Sequence, residues 1–182
     1  PITAIMLGNI ANTLQSKGDY KAAEARYREA LEILTKRVGK ENAFTAIAIH
    51  NLATCLQDQK DFAAAEPLFA EAISIRRKIL PATHPDLAVS LAGLGQLLMD
   101  KDEPQRAEAL LREALEIRRK AFSKGNLQTA LAENTLGECL TRLQRFAEAI
   151  LSARDELALL ETVDMGKPIQ YSLAVDVPAT AR

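Results

Sequence analysis

The sequence predicts an all-α fold, a right-handed α-solenoid of about four helical hairpins followed by a short C-terminal cap or tail. Three observations carry this expectation. The chain restates itself every 42 residues, which marks stacked supersecondary units. Within each half-unit, apolar and small residues recur at helical spacing. Between the halves, glycine, aspartate and proline stand where one helix must stop and the next begin.

The restatement is plainest where "KGDYKAAEARYREALEI", Lys17 to Ile33, is answered by "KDFAAAEPLFAEAISI", Lys60 to Ile75. Units begin near Thr3, Thr45, Leu87 and Thr129, which places them near 3–44, 45–86, 87–128 and 129–162. In the first helix of each unit one column reads Ile10, Leu52, Leu94, Leu136, the next Ala11, Ala53, Gly95, Gly137, and a third Leu14, Leu56, Leu98, Leu140. With Leu7, Ile49 and Leu91 these fall on one stripe of an amphipathic helix. The second helix carries Ala23, Ala65, Ala107, Ala149, then Tyr27, Phe69, Leu111, Ala153, then Ala30, Ala72, Ala114. Small residues on both partners let two helices approach closely, with large side chains seated in the notch.

The turns agree with this reading. Gly18 suits the left-handed residue that ends a helix, and Asp19, Asp61 and Asp102 or Glu103 suit the caps of the second helices. Pro104 takes an early helical position, where its missing N–H costs little. "THPD", Thr83 to Asp86, spells a capping box that restarts the third unit. Pro67 is expected to bend the second helix of unit two slightly. Unit four departs from the pattern, with Ala153 in the aromatic column and Glu156 in the small one. Residues 163–182 are expected to form a stub helix or a loose tail, because Val175, Val177 and Pro178 stop a helix early.

These columns resemble the tetratricopeptide repeat family: a small residue in the first helix, an alanine early in the second, an aromatic four on, and an alanine three beyond. They are filled by Ala53, Ala65, Phe69 and Ala72 in unit two, and by Gly95, Ala107, Leu111 and Ala114 in unit three. The 42-residue period, with "NLA" at Asn51, "AEPLF" at Ala65 and "HPD" at His84, is similar to the longer kinesin-light-chain type.

Composition narrows the function classes. In 182 residues there are 23 basic and 24 acidic side chains, a net charge of -1, which gives no field to draw in nucleic acid or an anionic bilayer. Two cysteines do not make a disulfide framework, and a cytoplasmic setting is expected. There is no long apolar run or basic leader, and the start at Pro1 suggests a fragment of something larger. No metal site or other cofactor is expected: His50 and Cys55 point about 140° apart on one helix, His84 suits helix initiation, and "DKDEP" from Asp100 suits capping. No nucleophile elbow, P-loop or dinucleotide fingerprint is present, so the expectation is a non-enzyme. Arg76, Arg77, Lys78 and Arg118, Arg119, Lys120 recur at the repeat period, which suits cations at helix C-termini better than a phosphate ladder.

One face remains. Positions 5, 8, 12 and 15 lie together, around from the buried stripe of the first helix. Shifted by the repeat they become Ile47, His50, Thr54, Gln57, then Val89, Ala92, Gln96, Met99, then Leu131, Asn134, Glu138, Thr141. Mixed apolar and amide groups are unusual for a face that meets only solvent. The resemblance implies that this strip lines a concave groove binding a peptide or partner segment. Asn12, Gln15, Gln57, Gln96 and Asn134 would bond its backbone, and Asp58, Asp100 and Arg142 would tune charge. A peptide with apolar anchors and one or two basic residues is expected, held less well below about pH 6.5 as His50 protonates. The reading is a scaffold or adaptor; the alternative is a regulatory or sensor segment of a larger signalling or catalytic protein. Partners are then a protein or peptide, another domain of the parent protein, or a second copy of the chain.

Overall fold

The computed structural model describes residues 2–122 and 126–164, apart from the side chains of 149 and 152–164. Seven helices follow one another: α1 (Ile2–Ser16), α2 (Tyr20–Val38), α3 (Ala43–Asp58), α4 (Phe62–Ile79), α5 (Pro85–Asp100), α6 (Pro104–Ala121) and α7 (Leu127–Asp164). Among the described residues there is no strand. Residues up to Cys139 form one compact unit, and the chain from Leu140 onward belongs to a second.

Three hairpins, α1/α2, α3/α4 and α5/α6, are closed by one turn used three times. Gly18, Lys60 and Asp102, each 42 residues from the last, are left-handed, with φ of 82°, 65° and 59°. The N–H of the following residue reaches back across the turn: Asp19 to Leu14 O at 3.0 Å, Asp61 to Leu56 O at 2.9 Å, and Glu103 to Leu98 O at 2.8 Å. This is the Schellman closure, which satisfies carbonyls that the helix end would orphan. Asp19 and Asp61 then cap the next helix, accepting from the N–H of Ala22 and Ala64. Glu103 makes no side-chain cap bond, and Pro104 starts α6. At Pro85 the cap is His84, whose Nδ1 accepts from the Asp86 N–H at 3.2 Å; the expected Thr83 cap is displaced by one residue. α4 runs through Pro67, which stands on an exposed face where water can take the carbonyl left without a donor.

Among the described residues the fourth unit has no turn that divides it into a hairpin. α7 continues over 38 residues, through the register position of the turn. There Gln144 and Arg145 stand where the earlier repeats have Gly18 and Asp19, Lys60 and Asp61, Asp102 and Glu103. Arg145 has no acceptor with which to cap a new helix, and both residues favour helix continuation. Among the described residues there are three hairpins and a long helix. Of the expected C-terminal stub, residues 165–182 lie outside the described residues.

The core is shared between hairpins. Ala4, Ala30, Leu34 and Ala48 join α1, α2 and α3, while Ala46, Ile49, Ala72 and Ile75 join α3 and α4. Ile73, Leu87, Leu91, Ala114 and Ile117 join α4, α5 and α6. Each buried Leu or Ile contributes about 1.5–3 kcal/mol, so a hairpin is stable only against its neighbour. The predicted notch is present: a Cβ on Gly95 would lie 2.6 Å from Leu111 Cδ2. Ile10 departs from its column, being 49% exposed where Leu52 is 1%. α3 packs against both α2 and α4, whereas among the described helices α1 packs mainly on α2.

Two further contacts tie repeats together without any motif to announce them. Arg76 is buried, with Nη1 donating to Asp86 O at 2.5 Å and to Ser90 Oγ at 2.7 Å. One repeat on, Arg118 is buried and donates to Gln128 O at 2.9 Å. Each arginine thus fastens the end of one second helix to the start of the next first helix. The buried thiols do likewise across the repeat: Cys55 donates to Tyr20 O at 3.5 Å and Cys139 to Pro104 O at 3.4 Å.

Candidate binding face

The strip read from the sequence lies along the first helices of the repeats, and within the first compact unit it borders three clefts. One, of about 230 Å³, is walled by Ile5, Gly8, Asn12, Phe44, Ile47 and Asn51 of α1 and α3, with Tyr27 of α2. A second, of about 420 Å³, adjoins it and is lined by Asn12, Gln15, His50, Thr54 and Asp58, again with Tyr27 and Asn51. The third, about 230 Å³, lies between α5 and the first turns of α7 and includes Ala92, Gln96, Leu131 and Thr135. Ile47, Val89 and Leu131 are exposed, at 40%, 39% and 50%. These aliphatic groups recur at one register position of three successive repeats.

Polar groups along the strip are partly spent on one another. Gln15 Nε2 donates to Asp58 Oδ2 at 2.6 Å, and Gln57 Nε2 to Asp100 Oδ2 at 2.7 Å, so an amide–carboxylate rung bonds the first repeat to the second and the second to the third. Gln96 Nε2 donates to the other oxygen of Asp100 at 3.1 Å. Tyr27, buried with its phenol pushed up to about 12 mainly by that burial, stays a donor. Its hydroxyl is shared between Asn12 Oδ1 and Gln15 Oε1, the latter at 2.8 Å. Asn12 accepts through its oxygen there, which leaves its amide N–H₂ group unspent in that contact.

Several expectations change. Met99 is 1% exposed, so it is core rather than a groove anchor. Gln57 is 9% exposed and spent on Asp100, which removes it as a hydrogen-bond donor to a ligand. Thr54 lines the second cleft but donates to His50 O, one turn back. Asn134 and Glu138 are exposed on α7 without lining these clefts. Arg142 falls in the second compact unit.

His50 is held down to about 4, first by burial and then by the Arg76 guanidinium, with Asp86 opposing. Its ring stands edge-on to Phe69 at 5.3 Å, and Nδ1 faces Ser90 Oγ at 3.4 Å. It is neutral at pH 6.5, so the expected loss of binding there has no source in this residue.

The basic triplets form no ladder. Beside the two clamping arginines, Arg77 pairs with Glu113 at 2.7 Å and Arg119 with Glu133 at 2.8 Å. Lys36, Lys78 and Lys120 pair with Glu32, Glu41 and Glu116. Among the described residues no His, Cys, Asp and Glu group is disposed to hold a metal, and no helix is long and apolar enough to cross a membrane.

Stacked helical hairpins with a mixed apolar and amide strip define the class, an α-helical repeat solenoid. The particular repeat follows from comparison: the tetratricopeptide repeat description matches residues 2–78, 44–120 and 86–162, and the chain belongs to that family. Solved folds similar to it include the kinesin light chain TPR-like repeat protein of Podosopora anserina, at TM-score 0.73 and 18% identity, covering 86% of this chain and 74% of that one. BtubC (BKLC) from P. vanneervenii matches at TM-score 0.71 and 21% identity, over 98% of this chain and 67% of that one. The first TPR of Spaghetti, bound to an HSP90 peptide, matches at TM-score 0.58 and 18% identity, over 78% and 94%. A curated relative, the aldehyde dehydrogenase PuuC of Escherichia coli, is 50% identical over 40 residues. The chain spans 8% of its length, and that stretch is 22% of this chain.

Proposed function

We propose that this chain is a protein-interaction module that binds a peptide or partner segment along the strip on its first helices, as a scaffold or adaptor. The observation that carries the reading is the register-repeated exposure of Ile47, Val89 and Leu131 beside cleft-lining amides. An aliphatic surface next to amides suits a polypeptide, which offers side chains to the first and peptide groups to the second. That a similar fold is bound to a peptide supports the same reading. The cleft hydroxyls of Ser16, Thr54 and Thr135 donate to backbone carbonyls within their own helices, so no base activates them.

The test is to pan a displayed library of random twelve-residue peptides against the chain and against Ile47→Glu and Leu131→Glu. Both positions are exposed, so the variants are expected to melt like the parent while capturing the selected peptides at least tenfold less well. Equal capture by both variants would place binding elsewhere.

A further inference from the structure

Gly8 lines the first cleft. Gly8, His50, Ala92 and Asn134 share a register position. In the second repeat His50 fills the space beside Phe69, ring centroids 5.3 Å apart. In the first repeat the matching aromatic is Tyr27, and Gly8 leaves the space beside it open: a Cβ on Gly8 would meet nothing within 4 Å. A glycine inside a helix costs about 0.5–1 kcal/mol relative to alanine, and no close contact in the fold requires one at this position. The glycine opens onto a cavity of about 230 Å³, below the roughly 300–1,000 Å³ of small-molecule sites and of a size for one or two side chains.

The rim says what the side chain belongs to. Asn9, Asn12 and Asn51 surround the apolar walls of Ile5, Phe44 and Ile47. Asn12 is oriented by the Tyr27 hydroxyl. The side chains of Asn9 and Asn51 make no hydrogen bond within the described protein. An amide presents a donor and an acceptor in the pattern of a peptide group. The adjoining cleft shares Asn12, Tyr27 and Asn51 with this one, and Asp58 is the charged group among its lining residues. One Asp58 oxygen is held by Gln15, and the exposed carboxylate leaves the cleft negative.

We infer that the Gly8 cavity is the specificity pocket of the binding face: it takes one aliphatic side chain of a polypeptide whose next residues place a lysine or arginine against Asp58. The inference rests on the peptide-binding reading above and narrows it to one pocket and one ligand class. A bulkier residue at position 8 plugs the pocket, and because it replaces a helical glycine in open space, it leaves the fold at least as stable.

The experiment pans the same twelve-residue library against the parent, Gly8→Leu, Asp58→Asn and Leu131→Glu, then titrates the synthetic consensus peptide. The parent is expected to enrich an aliphatic residue followed within a few positions by Lys or Arg. Gly8→Leu is expected to bind the consensus at least tenfold more weakly while melting no lower than the parent, and Asp58→Asn to lose the basic preference but keep the aliphatic one. Binding to Gly8→Leu within twofold of the parent overturns the inference; if Leu131→Glu has lost the peptides in that case, the broader reading stands. Enrichment of no peptide by the parent, or equal capture by every variant, overturns both.

Discussion

Gln57 and Asp100, 43 residues apart, are joined at 2.7 Å by a hydrogen bond that links the first helix of one repeat to that of the next. The same rung occurs one repeat earlier between Gln15 and Asp58. At the next register position the residues are Met99 and Arg142 in place of an amide and a carboxylate, and the methionine is buried. The proposed binding strip and the inter-repeat interface thus draw on the same side chains.

Gln57→Ala is therefore expected to lower stability by about 1–2 kcal/mol, since a charge-assisted bond from a buried amide is worth more than an exposed one. Urea unfolding of Gln57→Ala, Asp100→Ala and the double variant measures the coupling. Strict additivity would mean that the rung does not contribute.

Gly95 and Gly137 share a column but not an environment. Gly95→Ala is expected to cost about 1–3 kcal/mol, because the new Cβ meets both Cδ2 and Cγ of Leu111, at 2.6 and 2.8 Å. Gly137→Ala, with nothing within 4 Å of the new atom, is expected to gain roughly 0.5–1 kcal/mol from helix propensity. Thermal melts of the two variants that shift the same way would contradict this.

His50 makes stability fall in acid. Its pKa is about 4 in the fold, against the ordinary value of 6.5. The unfolded chain binds the extra proton first, so the contribution is present above pH 6.5 and is lost as pH falls toward 4, by up to about 3 kcal/mol. Urea midpoints measured from pH 7 to 4 should decline less steeply in His50→Gln. An unchanged slope would show that the imidazole does not titrate in this window.

Two neighbouring arginines should differ sharply. Arg76→Ala removes a buried donor from Asp86 O and Ser90 Oγ and is expected to cost about 2–4 kcal/mol. Arg77→Ala breaks only an exposed ion pair with Glu113 and is expected to cost less than about 1 kcal/mol. Chemical denaturation of both variants tests the contrast, and equal losses would mean that burial does not separate them.

By itself the sequence determined the helices, the period and the turns, because these rest on local physics. Helical spacing of Ala53, Leu56, Ala65 and Phe69 is legible within one unit, and Asp19 and Asp61 cap by reaching residues three places away. The absent turn at Gln144 and Arg145 was legible by the same rule, though the repeat register suggested a fourth hairpin. That Ile5, Asn12 and Ile47 share a face with Leu131 was legible from helical spacing and the period, and these residues line clefts. What only the tertiary structure decided was how each polar or apolar group on that strip is spent. Met99 is buried, Gln57 turns to Asp100, and Arg76 closes on Asp86 O, because each meets a partner from another helix whose distance no spacing rule contains. The Gly8 cavity is of the same kind: a missing side chain becomes a pocket only when α2 and α3 stand around it.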